Sequence, residues 1–151
     1  MAALTKERDT PTQHYDFPQS LKVKGNVKIF NGAMVSTDAT GFAVPSADVA
    51  ATNCIGRANA TVDTTAAGPL GLLADGAVEI EVLVGVATYN NPAGANQLTQ
   101  VDVGKLAFVL TDNEVIRTAG TANTRIAGRV TRVDVVSVPP TATIDFRQHA
   151  V

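Results

Sequence analysis

The stretch of sequence that decides the fold class is AVEIEVLVGVATY, residues 77–89. In its first eight residues one face collects the β-branched residues Val78, Ile80, Val82 and Val84, and the residues between them are Ala77, Glu79, Glu81 and Leu83. A period of two over eight residues is typical of a half-buried β-strand. Gly85 interrupts the alternation, and residues 86–88 continue it beyond a bend. The stretch therefore predicts the longest strand of the chain, bent at Gly85.

Shorter apolar runs separated by turn residues lie on both sides of this stretch. The predicted strands are 21–24, 27–30, 33–36, 42–44, 54–62, 106–110, 114–118, 125–133, 135–138 and 141–146. Asn31-Gly32 predicts a type I′ hairpin turn between 27–30 and 33–36, and Gly56 predicts a bulge. Residues 100–105, closed by Gly104, are expected to form one helical turn. Many short strands at intervals of roughly 8–12 residues predict an all-β fold, a small β-barrel or a jelly-roll-like sandwich.

The chain ends differ from the middle in pattern. Residues 1–18 carry charges, Thr10-Pro11 and Phe17-Pro18, and no period, which predicts an extended N-terminal arm. Residues 19–138 form the predicted β-barrel or sandwich body. Residues 139–151, which begin with Pro139-Pro140, are either a C-terminal extension or the last strand. At 151 residues the chain fits one domain with an arm.

The amino-acid composition limits the kinds of partner that this domain can bind. Charged residues make up 17% of the chain, against roughly 25% in an average soluble domain. A surface with little charge favours contact with another protein, because few charges must be desolvated. The net charge of −2 and the scattered Lys and Arg residues argue against nucleic-acid binding. No run approaches the roughly 20 apolar residues of a membrane span, and no signal peptide is evident, so we expect a soluble protein made in a cytoplasm.

The residues that commonly carry chemistry form no recognisable constellation. His14 and His149 lie in the two terminal segments, and Glu79 and Glu81 share a strand face that we expect to be solvated. Cys54 is the single cysteine, which excludes an intrachain disulfide and predicts a buried thiol. No serine has the flanking glycines of a nucleophile elbow, and no glycine-rich loop has the Lys-Ser/Thr of a phosphate site. We expect a non-enzymatic protein with no cofactor and no metal, whose function is to bind other protein.

Arginines are the charged residues most favoured at protein interfaces, through bidentate pairing and stacking. Arg57, Arg125 and Arg129 are therefore candidate subunit-contact residues. Arg125 and Arg129 are predicted to share one face of their strand if no bulge intervenes, with Arg132 on the other.

Several segments, taken in order, resemble small head proteins of tailed bacteriophages. They are ALTKERDTP (3–11), KIFNGAMV (28–35), GFAVP (41–45), IGRA (55–58), 78–86, VDVGKLAFV (101–109), and IAGRV (126–130) followed by Val133-Asp134. Together they cover most of the chain, although each is short. The chain departs from that family's pattern in its longer C-terminus, 139–151.

The resemblance is to capsid decoration, or cement, proteins, and it implies a β-barrel or jelly-roll-like body on the outer surface of the virion head. It implies the major capsid protein as partner, and self-association, with a homotrimer favoured and a dimer possible; neither nucleic acid nor membrane is expected. The arm is expected to pin the contact. The candidate contact residues are Leu4, Lys6, Arg8, Tyr15, Phe17, Arg57, Arg125 and Arg129.

Two alternatives remain open from the sequence. One is another phage structural module, from a tail or baseplate. The other is a receptor- or carbohydrate-binding β-domain, which would need exposed aromatic side chains for sugar stacking. The chain has no Trp, and its tyrosines are Tyr15 and Tyr89.

Overall fold

A computed structural model describes residues 3–7, 17–49, 52–118 and 125–147. Within these ranges the chain forms twelve strands and one short 3-10 helix, Gln100–Asp102. The strands are β1 Phe17–Lys22, β2 Lys28–Ile29, β3 Met34–Thr37, β4 Ala43–Pro45, β5 Asn53–Ala58, β6 Val62–Asp63, β7 Glu79–Val84, β8 Val86–Asn90, β9 Leu106–Thr111, β10 Glu114–Ile116, β11 Ile126–Asp134 and β12 Thr141–Asp145. No helix in the described ranges is long and apolar enough to cross a bilayer.

The strands form an open sheet and a closed barrel. The open sheet has the order β1-β7-β5-β3-β4, and the barrel has the order β10-β8-β12-β11-β9. A small two-stranded sheet, β2-β6, completes the fold. The predicted all-β class with a small barrel is therefore confirmed.

The stretch 77–89 joins the sheet to the barrel. Its first part, β7, pairs with β1 and β5 in the open sheet, and its second part, β8, pairs with β12 and β10 in the barrel. Gly85 lies between them, and its carbonyl oxygen accepts a hydrogen bond from the Phe146 N–H at 2.9 Å. The predicted bend is thus the point at which the chain passes from one sheet to the other.

Two apolar cores follow from this division, one beneath the open sheet and one inside the barrel. The strand β3 contributes to both, because Met34 belongs to the barrel core while its neighbour Val35 belongs to the sheet core. In the barrel, the rings of Tyr89 and Phe146 pack edge to face, with 5.8 Å between their centroids. The Tyr89 hydroxyl donates to the Gly32 carbonyl oxygen at 3.3 Å. This hydrogen bond ties the barrel core to the turn that precedes β3.

The prediction of a β-hairpin at Asn31-Gly32 is wrong, because the strands on its two sides do not pair with each other. Strand β2 pairs with β6, and β3 pairs with β4 and β5. The turn exists, since the Ala33 N–H donates to the Phe30 carbonyl oxygen at 3.1 Å, and Gly32 has a φ of 87°. Asn31 does not have a positive φ. A positive φ at the second central residue alone is typical of a type II turn, which does not direct its strands into a two-residue hairpin.

Other boundaries also differ from the predictions. The predicted strand 54–62 is two elements, β5 and β6, which lie in different sheets. The bulge in β5 falls at Ile55, since Val35 pairs with Gly56 and Ser36 with Cys54. Residues 135–138 are a loop and not a strand.

The first and last strands of the body have different bounds from those predicted. Strand β1 begins at Phe17, two residues inside the predicted arm, because Pro18 is accommodated on an edge strand. Strand β12 lies between β11 and β8, so residues 141–145 are a strand of the barrel. The predicted helical turn is the 3-10 helix, after which Gly104 has a φ of 87°.

Candidate binding surfaces

The predicted N-terminal contact residues have different positions. Leu4 packs against the sheet core, and its N–H donates to Asp112 Oδ1 at 2.7 Å. Lys6 is exposed. Phe17 lies at the start of β1, opposite Val84. Arg8 and Tyr15 lie outside the described residues, as do His14 and His149. At least the Leu4 end of the predicted arm is therefore held against the chain's own body.

The predicted arginines do not form one cluster. Arg57 is half-buried in β5, between Met34 of β3 and Leu83 of β7. Arg125 donates from Nε to the Val49 carbonyl oxygen at 3.2 Å, whereas the Arg129 guanidinium donates to the Gly104 carbonyl oxygen.

A bulge at Ala127 separates Arg125 from Arg129, since Ile126 pairs with Phe108 and Gly128 with Ala107. The prediction of a shared face assumed an unbroken strand, and that assumption is wrong.

A groove of about 520 Å³ lies between the open sheet and the barrel. Its apolar surface comes from Ile55 of β5, Val84 of β7, Ile126 of β11 and Phe146, which follows β12. Two arginines, Arg125 and Arg147, also line it. Of the predicted contact residues that the structure describes, Arg125 is the one that lines this groove.

A second surface is the loop between β11 and β12, residues 135–140, which we call the valine loop. Val136 is 87% exposed and Val138 is 98% exposed, and Val135 is half exposed. The loop is held in shape from within, because Asp134 Oδ1 accepts the N–H groups of Val136 and Ser137, each at 3.0 Å. The hydrogen bond from the Ser137 N–H, followed by that from the Val136 N–H, lowers the pKa of Asp134. The loop thus presents apolar side chains to solvent from an ordered backbone.

Cys54 lies at the base of the groove and is buried. Burial raises the pKa of its thiol to about 12, although hydrogen bonds from Ser46 and the Gly56 N–H act in the opposite direction. A thiol with so high a pKa is almost entirely protonated at neutral pH and is a poor nucleophile. In the described part of the chain, no three His, Cys, Asp or Glu side chains are grouped to hold a metal ion.

Sequence reasoning missed both surfaces for physical reasons. The sequence VVSV, residues 135–138, has the β-propensity of a strand, whereas the hydrogen bonds to Asp134 hold it as a loop. The double proline that follows was the available signal, since proline cannot donate to a strand ladder. The groove joins residues from five segments that are far apart in the sequence, which no local pattern brings together.

Comparisons with family models, with curated proteins and with solved structures find no match to this chain.

Proposed function

We propose that this chain is a decoration protein of a tailed-bacteriophage head, which binds the outer surface of the capsid and stabilises contacts between major capsid subunits. The observation that carries the proposal is the valine loop, where Val136 and Val138 are almost fully exposed on a loop pinned by Asp134. Exposed apolar side chains in an ordered setting are typical of protein-binding sites. The identity of the partner comes from the resemblance of the sequence segments.

The physical role fits a small, rigid β-domain. A capsid filled with DNA is pushed outward, and a clamp across a seam between subunits raises the work of separating them. Many copies on one shell also gain by avidity if each copy is an oligomer, because one contact raises the effective concentration for the next. We favour a trimer, since three-fold and quasi-three-fold positions are natural seams, and a dimer at two-fold seams is the alternative.

One of the two tyrosines that could stack on a sugar in the carbohydrate-binding alternative is not accessible. Tyr89 is fully buried in the barrel core and packs against Phe146. A ring in that position cannot stack on a sugar. Tyr89 therefore gives the carbohydrate-binding alternative no support.

The test is binding to heads assembled without decoration protein. Val136→Asp and Val138→Asp place a charge where we expect the capsid to cover the loop, and desolvating that charge opposes binding. We expect each variant to bind at least about tenfold more weakly in a sedimentation assay, a loss of about 1.4 kcal/mol or more. Ala39→Asp, on the exposed turn between β3 and β4, introduces the same charge away from the loop and should bind as the wild type does.

Wild-type protein that fails to bind undecorated heads would contradict the proposal. Unchanged binding by both valine variants, with wild-type binding intact, would remove the valine loop from the contact.

A further inference from the structure

The groove exists because one strand leaves the sheet early. Strand β7 is paired with β5 only at Arg57 and Ala58, and it then passes Gly85 into the barrel as β8. In the described part of the chain, Asn53 and Cys54 of β5 are therefore paired with β3, and no strand is paired with residues 53–55 on the other side. An open strand edge offers backbone N–H and C=O groups to an added extended segment.

The opposite wall of the groove comes from the barrel. Ile126 begins β11, and Phe146 follows β12, with its ring almost completely buried. Ile55 and Val84 complete the apolar surface on the sheet side. A volume of about 520 Å³ is in the range of specific ligand pockets, and it suits a few residues of extended chain better than a folded element.

The charged side chains of the groove have one sign. Arg125 and Arg147 line it, and the described lining includes no carboxylate. Asp145, beside the lining, holds the Arg147 guanidinium through two hydrogen bonds at 2.9 and 3.0 Å. Arg125 is oriented by its bond to the Val49 carbonyl oxygen. Asp145 thus already compensates the charge of Arg147, and charge complementarity at Arg125 favours an occupant that carries a carboxylate, since guanidinium groups pair well with carboxylates.

We propose that this groove accepts an extended, apolar segment of a capsid subunit that bears a carboxylate, added as a strand beside residues 53–55. The inference rests on the proposed function, because that function supplies the capsid subunit as the occupant. The segment's apolar side chains pack on Ile126 and Phe146, and its carboxylate meets Arg125. Backbone hydrogen bonds to β5 set its direction.

The test places a photo-crosslinking amino acid, p-benzoylphenylalanine, at Asn53. This residue is exposed and lines the groove, so the substitution should leave the core intact. The control places the same amino acid at Leu72, which is exposed on the loop before β7. Each protein is bound to undecorated heads and irradiated, and the crosslinked peptides are identified by mass spectrometry. We expect the Asn53 position to crosslink to a capsid segment with apolar and acidic residues, and the Leu72 position to give no crosslink to that segment.

A charge-reversal pair tests the same contact without a crosslinker. Arg125→Glu should weaken head binding by about tenfold or more, because a charged hydrogen bond becomes a repulsion. Lys22→Glu makes the same reversal of charge at an exposed residue of β1 that does not line the groove, and it should leave binding within about twofold.

The outcomes separate this inference from the proposed function. If the wild type does not bind heads, the proposed function fails. If the wild type binds but Asn53 crosslinks to its own chain or to a second copy, or crosslinks to nothing, the groove inference is overturned and the function stands. Equal binding by Arg125→Glu and the wild type would also overturn it.

Discussion

Gly56 lies where β5 and β7 make their last contact before β7 leaves the sheet. A Cβ added at this position would overlap the Leu83 carbonyl oxygen and would lie 3.1 Å from both the Leu83 carbonyl carbon and Val82 Cγ1. The conflict is with backbone on a paired strand, which cannot rotate away. Over-packing in a well-packed site costs typically 1–3 kcal/mol, so we expect Gly56→Ala to cost about 3 kcal/mol. For a chain of this length that lowers Tm by roughly 6–12 °C.

Gly71→Ala is the matched control, because it separates lack of space from backbone strain. Gly71 has a φ of 71° and nothing within 4 Å of an added Cβ. Gly71→Ala should therefore lower the free energy of unfolding by only roughly 1–2 kcal/mol, the cost of a side chain in left-handed backbone. Thermal and guanidinium unfolding followed by circular dichroism measures both variants. If Gly56→Ala were as stable as the wild type, or more stable than Gly71→Ala, the close approach of β7 to β5 would be refuted.

Two further predictions concern buried polar groups. Asp102 accepts hydrogen bonds from the Thr99 N–H at 2.8 Å and from Arg117 Nε at 3.1 Å. Although burial acts to raise the pKa of Asp102, these partners together lower it below its usual 3.8. Ionised Asp102 therefore adds stability above about pH 4, and this is lost as the pH falls through the lower folded pKa. Asp102→Asn should lower the free energy of unfolding by about 1–2 kcal/mol at pH 7. Between about pH 4 and 2 the stability of this variant should fall less than that of the wild type. Parallel profiles of unfolding free energy against pH would contradict this. Tyr89→Phe removes only the hydroxyl that donates to Gly32, so guanidinium unfolding should show a loss of about 1 kcal/mol, and a loss above about 3 kcal/mol would mean that the core repacks.

The all-β class and most strand positions can be predicted from local pattern, because alternation of apolar and polar residues indicates burial on one face. The stretch 77–89 shows how far this goes. Its period of two identified β7 and β8, and Gly85 marked the bend. Nothing local shows that the chain changes sheets there, since this depends on which distant strands pair with each half.

The errors have the same origin. Asn31-Gly32 was predicted as a hairpin from turn chemistry alone, but β2 pairs with β6, about thirty residues later. The valine loop was predicted as a strand, because the side-chain hydrogen bonds of Asp134 have no signature in apolar periodicity. The groove was not predicted from the sequence, although Arg125, which lines it, was predicted as a contact residue.

The central claim is that this domain binds the outside of a phage head. Cryo-electron microscopy of undecorated heads incubated with the purified protein tests it most directly. We predict oligomers on the outer surface at seams between capsomers, three-fold in the favoured case, with the valine loop against the shell. Heads that stay bare at saturating protein, or protein density confined to a tail, would contradict it.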